Sequence, residues 1–244
     1  MRRSWEAFEY LAGKYDAWFE TERGRAIFRA EVDCISCLLS VLSRPWLEIG
    51  VGTGRFAAAL GIDEGVDPSP AVLEYAGRRG IRTRIGSAEQ LSYESGVFGA
   101  TFLIVTICFL TEPVPALNEC VRVLKSNGYL IIGLVPKDSP WGKEYLRKGA
   151  QGHPFYSAAT FYTSGEIIEL AGKAGFVLDR TASCLFEDPG EKVNAYCRPR
   201  EGIVKGAGFV GLRFALRKKS VGKQVGAGLT RILAGSQTAE LKRR

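Results

Sequence analysis

Three glycines stand at alternate positions, Gly50, Gly52 and Gly54, just behind the acidic Glu48 and ahead of an apolar run that begins at Arg55. Glycine adopts backbone conformations closed to other residues and lets a ligand approach the main chain, so the stretch reads as a ligand cradle between a strand and a helix. Triphosphate-gripping loops need Gly-Lys-Ser/Thr at the helix start, whereas Gly54 is followed here by Arg55-Phe56. The dinucleotide fingerprint G-x-G-x-x-G needs a glycine three residues after Gly52, where Arg55 stands instead. Glu48 would also be a poor neighbour for a pyrophosphate. A cationic ligand without phosphate suits E-x-G-x-G-x-G better.

Asp67 follows Glu48 by 19 residues, at the end of a second apolar strand pattern. A carboxylate there can accept from both hydroxyls of a ribose, which marks an adenosine half without separating NAD from other adenosine ligands. The acidic residue before the glycines decides between them. S-adenosylmethionine (SAM) carries a sulfonium and an ammonium, and Glu48 complements the latter.

A second set of residues lies in "WGKEYLRKGAQGHPFYSAATFY", with Trp141, Tyr145, His153, Phe155, Tyr156, Phe161 and Tyr162. His153 is the only histidine and so the one side chain whose ordinary pKa lies near neutrality. An aromatic wall with one imidazole suits a small, partly apolar molecule. His153, Tyr145 and Tyr156 are the candidates to orient or deprotonate it, against the plainer reading of a surface-loop histidine and packed aromatics. Cys108 reads as a buried strand-end residue. Cys34 and Cys37 form C-x-x-C on a helical pattern, but no second C-x-x-C or histidine cluster completes a zinc site. They are expected to be a pair buried in the core, and six scattered cysteines make no disulfide framework.

These residues need elements to hold them. Trp5, Phe8, Leu11, Tyr15, Trp18 and Phe19 make one helical stripe, a second helical pattern runs from Ile27 to Leu42, and Pro45 ends the block. Strand and helix patterns then alternate. Strands are expected at Trp46–Gly50, up to Asp67, at Thr83–Ile85, in "GATFLIVTICFL" and in "KSNGYLIIGLVP", and later near Val177–Phe186 and Phe209–Leu216. Helices are expected from Arg55, from Pro70, over Val114–Leu124 and in "FYTSGEIIELAGKAGF", the last capped by Thr163 or Ser164 and ended by Gly175. Alternation of this kind predicts a parallel sheet with right-handed crossovers. The expected fold is α/β, a Rossmann-like doubly wound, mostly parallel seven-stranded sheet with helices on both faces. Residues 1–44 would form a helical lid, 45–218 the ligand-binding domain and 219–244 a basic tail. The polar segment 188–208 reads as a loop or hairpin connection.

The formal charge of +7 is confined to one end. From Arg217 to Arg244 there are eight basic residues against Glu240 alone, which sums to +7 and leaves residues 1–216 neutral. Nucleic acid is therefore not the expected partner of the body, and the tail is the part suited to anionic surfaces. No run of 18 apolar residues spans a membrane, and the charged N-terminus is no signal peptide, which makes the cytoplasm the default location. Nothing in the sequence indicates an oligomeric state.

The stretches "LEIGVGTGRF", "GVDPSPAVLEYA", "GSAEQLSYESGVFGATFLIVT" and "ALNECVRVLKSNGYLIIG", together about residues 46–134, resemble the class I SAM-dependent methyltransferases. The similarity is to the small-molecule branch that includes the ubiquinone and menaquinone-biosynthesis methyltransferases. It implies that Glu48, Gly50, Gly52 and Thr53 line the methionine and ribose side of SAM, with Asp67 on the ribose. Ser87 and Ala88 would flank the adenine, Ala88 through its backbone N–H, and Thr106 would approach the methionine end. Many members have Asp or Asn where Ser87 stands, and Glu89 is a substitute for that acceptor. "YDAWF" resembles segments that fold over the cofactor, which makes Tyr15 a lid residue. The implied activity is methyl transfer by in-line displacement to a small-molecule acceptor, its attacking atom N, O, S or C left open. A non-catalytic SAM-binding sensor or assembly protein would share the same loop. Nucleic-acid methylation is disfavoured, since "TICF" and "GLVP" replace an N-P-P-Y-like motif and no Pro-Cys dipeptide occurs. Arsenite or thiol methylation would draw on Cys34, Cys37, Cys184 and Cys197, whose spacings match no such pattern.

Overall fold

The strand–helix alternation closes into one sheet. A computed structural model describes residues 4–217 except Ala195, so the basic tail at 219–244 lies outside the described residues. Eight strands are hydrogen-bonded in the order β3-β2-β1-β4-β5-β8-β6-β7. They are β1 (Trp46–Ile49), β2 (Glu64–Asp67), β3 (Arg82–Ile85), β4 (Phe98–Ile104), β5 (Leu124–Leu134), β6 (Phe176–Cys184), β7 (Arg200–Glu201) and β8 (Phe209–Leu216). β3 to β5 run parallel, whereas β8 is antiparallel to both β5 and β6. The count exceeds the seven expected by β7, whose two residues pair with Ser183 and Ala182 of β6. A two-residue strand in a polar segment leaves no alternation to read.

The helices are α1 (Glu6–Trp18), α2 (Glu22–Ser36), α3 (Arg55–Leu60), α4 (Pro70–Arg78), α5 (Pro113–Val123), α6 (Pro140–Ala150) and α7 (Ser164–Ala174). Each face of the sheet buries its own apolar layer. Phe102 and Ile104 of β4 join Ile35, Phe56 and Leu73 from α2, α3 and α4 on one face. Phe98 and Leu103 of the same strand join Leu117 and Ile167 from α5 and α7 on the other. This two-sided burial is why β4 reads as a continuous apolar run. Among the described residues no helix is long and apolar enough to cross a membrane.

α2 stops at Ser36 rather than continuing to Leu42. Leu38 and Leu39 remain apolar-facing through tighter three-residue turns to Ile35 and Ser36, so their spacing imitates a helix. The Arg213 guanidinium takes up the carbonyls of Leu38 and Ser40, each at 2.8 Å, which satisfies backbone that no further turn reaches. The early stop also separates the C-x-x-C pair: Cys34 is buried, but Cys37 is at the helix end and exposed. α6 is an element that the aromatic spacing concealed. Ser139 caps it by accepting from the N–H of Gly142 at 3.0 Å.

Candidate functional site

Strand order reverses between β1 and β4, and open α/β sheets bind ligands beyond the carboxyl ends of the strands at such a point. A cavity of about 460 Å³ lies there. It is lined by Glu48, Gly50, Gly52, Thr53, Asp67, Ser87, Ala88, Thr106 and Tyr15, with Glu89 beside them. The residues singled out for the adenosine ligand therefore share one wall system.

Two glycines make the cradle. Gly50 has φ +72°, and a Cβ there would stand 2.2 Å from Cγ2 of Thr106. Gly52 has φ +52° and faces open space, with Cε1 of Tyr15 the nearest atom to an added Cβ at 3.9 Å. Its N–H donates to Oδ2 of Asp67 at 3.0 Å, while the N–H of Ser69 donates to Oδ1 at 3.0 Å. Asp67 thereby ties the loop to the end of β2. Burial raises its pKa to about 6, despite those two donors. The Thr106 hydroxyl lies 3.1 Å from the carbonyl of Ile104 and 3.3 Å from that of Gly50.

Glu48 is 1% exposed, and its Oε2 has no hydrogen-bond partner. Burial pushes its pKa well above the usual carboxylate range, against a hydrogen bond from Ala57 and with a further rise from the charge of Asp67. An orphaned buried carboxyl oxygen on a ligand cavity is the complement of a cationic donor.

α1 covers this cavity and is pinned at two points. The Glu9 carboxylate accepts from the Ser69 hydroxyl at 2.6 Å and from the N–H of Ala71 at 3.1 Å. Asp16 accepts from Arg55 at 2.8 Å and from Arg79 at 2.9 Å. Burial alone would raise the Asp16 pKa, but these two guanidinium groups and the Thr53 hydroxyl outweigh it and hold it at about 2. Neither anchor carries a sequence motif. The paired residues are 39 to 63 positions apart.

A second cavity of about 250 Å³ lies alongside. Tyr145, Tyr156 and His153 all line it. They form a stack, with Tyr145 on Tyr156 at 4.4 Å and His153 on Tyr156 at 4.3 Å between ring centroids. Burial raises both phenols, Tyr156 to about 12, so both stay protonated at neutral pH. Burial and the nearby Lys148 and Lys14 lower His153. Cys108 is half-buried in a turn after β4 and lines this cavity, where a buried strand-end residue was expected. Cys34, Cys37, Cys184 and Cys197 line neither cavity. Among the described residues no three His, Cys, Asp or Glu side chains are gathered as a metal site would require.

Glu31 is the residue that sequence reasoning missed. It lies on the buried stripe of α2 with Ile27, Cys34 and Ile35, and its side chain lines the second cavity. An acidic residue on an otherwise apolar helical face was the available signal.

The doubly wound sheet, the glycine cradle and the carboxylates at the ends of β1 and β2 define a SAM-dependent methyltransferase of class I, and the chain belongs to that family. Residues 47–132 match the family model described as a methyltransferase domain. A SAM-dependent methyltransferase of Thermotoga maritima, described as a possible histamine N-methyltransferase, is 37% identical, with a TM-score of 0.81 over 88% of this chain and 100% of that one. An uncharacterised protein of Mycobacterium tuberculosis is 39% identical over 201 residues, 82% of this chain and 70% of its own length. One from Methanocaldococcus jannaschii is 33% identical over 207 residues, covering 84% and 96%. These similarities carry the class of enzyme; none singles out the quinone-methylating branch.

SAM is the co-substrate, and the residues present fit it. Glu48 would offer its orphaned carboxyl oxygen to the ammonium, Gly50 and Gly52 would leave room against the backbone, and Asp67 would offer its carboxylate to the ribose hydroxyls.

Proposed function

We propose that the protein transfers the methyl group of SAM to a small molecule held in the aromatic cavity. The observation that carries this reading is the shared wall. Phe8, Tyr15, Phe19, Phe56, Val105 and Phe109 line both cavities. Bound SAM supplies an already activated methyl group, so the chain itself must align an acceptor and exclude water. The aromatic walls do the excluding: Phe8 lies 4.9 Å from both Phe109 and Phe155, and Tyr15 lies 5.6 Å from Phe155, between centroids. Val105 marks the junction with φ +53°, a conformation rare for a β-branched residue. Its N–H donates to the carbonyl of Gly133 at 2.8 Å, which holds it there. Tyr145 and Tyr156, protonated, serve as hydrogen-bond donors to the acceptor, and neutral His153 braces Tyr156. The Thermotoga maritima relative, described as a possible histamine N-methyltransferase, supports an acceptor of this size. Nucleic acid is not the acceptor we propose.

Two variants test the reading. Asp67→Ala removes two charged acceptors and should weaken S-adenosylhomocysteine (SAH) binding by about 100-fold in calorimetry. Cys108→Phe fills the second cavity while sparing the first. It should leave SAH affinity intact and abolish methyl transfer to small acceptors detected by mass spectrometry. Undiminished transfer in Cys108→Phe would remove the aromatic cavity as the acceptor site.

A further inference from the structure

Resting on that assignment of the second cavity, we propose that Glu31 is the recognition carboxylate for an amine acceptor, seated as an ammonium among aromatic rings, and that it takes one ammonium proton to free the nitrogen lone pair.

The placement of the carboxyl is the starting point. Glu31 is 7% exposed, lines the second cavity, and receives no hydrogen bond or ion pair from the described residues. Its helical neighbours Ile27, Ala30, Cys34 and Ile35 are all buried and apolar. An unpaired carboxyl on such a face costs desolvation that an apolar residue would avoid. A ligand cation is what offsets that cost.

The walls agree with the floor. Tyr15, Trp18, Phe19, Tyr145, Tyr156 and Phe161 surround the same space, and aromatic faces attract cations and not anions. A carboxylate or phosphate acceptor would face Glu31 without compensation. The two lysines that also line the cavity do not supply the missing partner. Lys14 is exposed, and Lys148 is 42% exposed with its ammonium 3.5 Å from Glu144. Cations at the rim and a carboxyl among the rings leave the interior suited to one positive charge.

The proton balance closes within the pair. One N–H bond of the ammonium breaks, its proton passes to a Glu31 carboxylate oxygen, and the electron pair stays on nitrogen. No further reactant is needed. Burial raises the Glu31 pKa to about 8, so at neutral pH the ligand-free carboxyl holds a proton that the arriving ammonium first displaces to solvent. The carboxylate so formed is a stronger base than an exposed one. Tyr15, Tyr145 and Tyr156, the phenols nearest to it electrostatically, are raised by burial and by Glu31 itself. They therefore do not compete as bases.

The test uses the full chain loaded with SAH and calorimetric titration of three probes: 2-phenylethylamine, 2-phenylethanol and 3-phenylpropanoate. The amine should bind about tenfold or more tightly than the alcohol, and the carboxylate least. Glu31→Gln should erase the preference for the amine, while Glu31→Asp retains part of it. SAH affinity, unchanged in both variants, reports that the fold and the first cavity are intact. Unchanged amine affinity in Glu31→Gln, or a wild type that prefers the alcohol or the carboxylate, overturns the amine assignment and leaves the cavity as an acceptor site. Failure of all three probes to bind the SAH-loaded wild type overturns the amine assignment and the acceptor cavity together.

Discussion

Glu48 stands near the end of β1 with one buried carboxyl oxygen that no protein group hydrogen-bonds. Burial raises the pKa of its carboxyl, and an ammonium that settles on it favours the ionised form and draws that pKa back down. Calorimetry of SAH binding at pH 7, in two buffers of different ionisation enthalpy, should show net proton release on binding. Glu48→Gln should release none and bind SAH about tenfold more weakly. Equal proton release in both proteins would move the ammonium elsewhere. Residues of this kind were legible where a short spacing carried the chemistry. Glu48, Gly50 and Gly52 stand within one turn of chain, and Asp67 ends the next strand. Glu31 was not legible as a ligand contact, because what makes it one is a cavity wall built from α1, α2, α6 and the turn after β4.

At the scale of elements, α1 is the cover of the site, and its hold is electrostatic at one end. Asp16 contributes stability above its unfolded pKa near 3.8 and loses it as the pH falls through about 2. Asp16→Ala leaves Arg55 and Arg79 without their carboxylate, an effect on the order of 2 kcal/mol for a partly screened pair. Amide hydrogen exchange over residues 6–18 should accelerate, with β4 and β5 unchanged. Uniform acceleration would instead make α1 part of the cooperative core. Sequence periodicity located most elements because two-sided burial and caps leave strong local marks, as at Thr163, whose hydroxyl and Glu166 form a reciprocal cap. It overran α2, where a turn satisfied by the distant Arg213 continued the apolar spacing. It passed over α6, whose aromatic content drew attention to chemistry first.

Over the whole molecule, the buried carboxyl of Glu31 leaves a signature in stability. Burial holds its pKa at about 8 against the ordinary 4.5 of a glutamate, so the native state holds a proton that the unfolded chain releases. Stability from this group is full below pH 4.5 and declines as the pH rises to 8. Denaturant titrations of Glu31→Gln should show that the decline is shallower by a few kcal/mol across that window. An identical slope in both proteins would place the carboxyl in contact with water. The parallel half of the sheet was legible from the alternation of strands and helices. The position of β8 was not, because its partners β5 and β6 are chosen by long-range pairing that no local pattern records.

That position has a consequence for synthesis. β5 ends at Leu134, and the strand that covers its free edge begins only at Phe209, 75 residues later. At roughly 5–20 residues per second, the ribosome leaves that apolar edge bare for about 4–15 seconds. β3-β2-β1-β4-β5 can assemble in that interval, so the nascent chain holds its cofactor half before the other half exists. During those seconds an unpaired edge is open to any neighbouring strand. Production of this enzyme is thus most vulnerable between its fifth strand and its last.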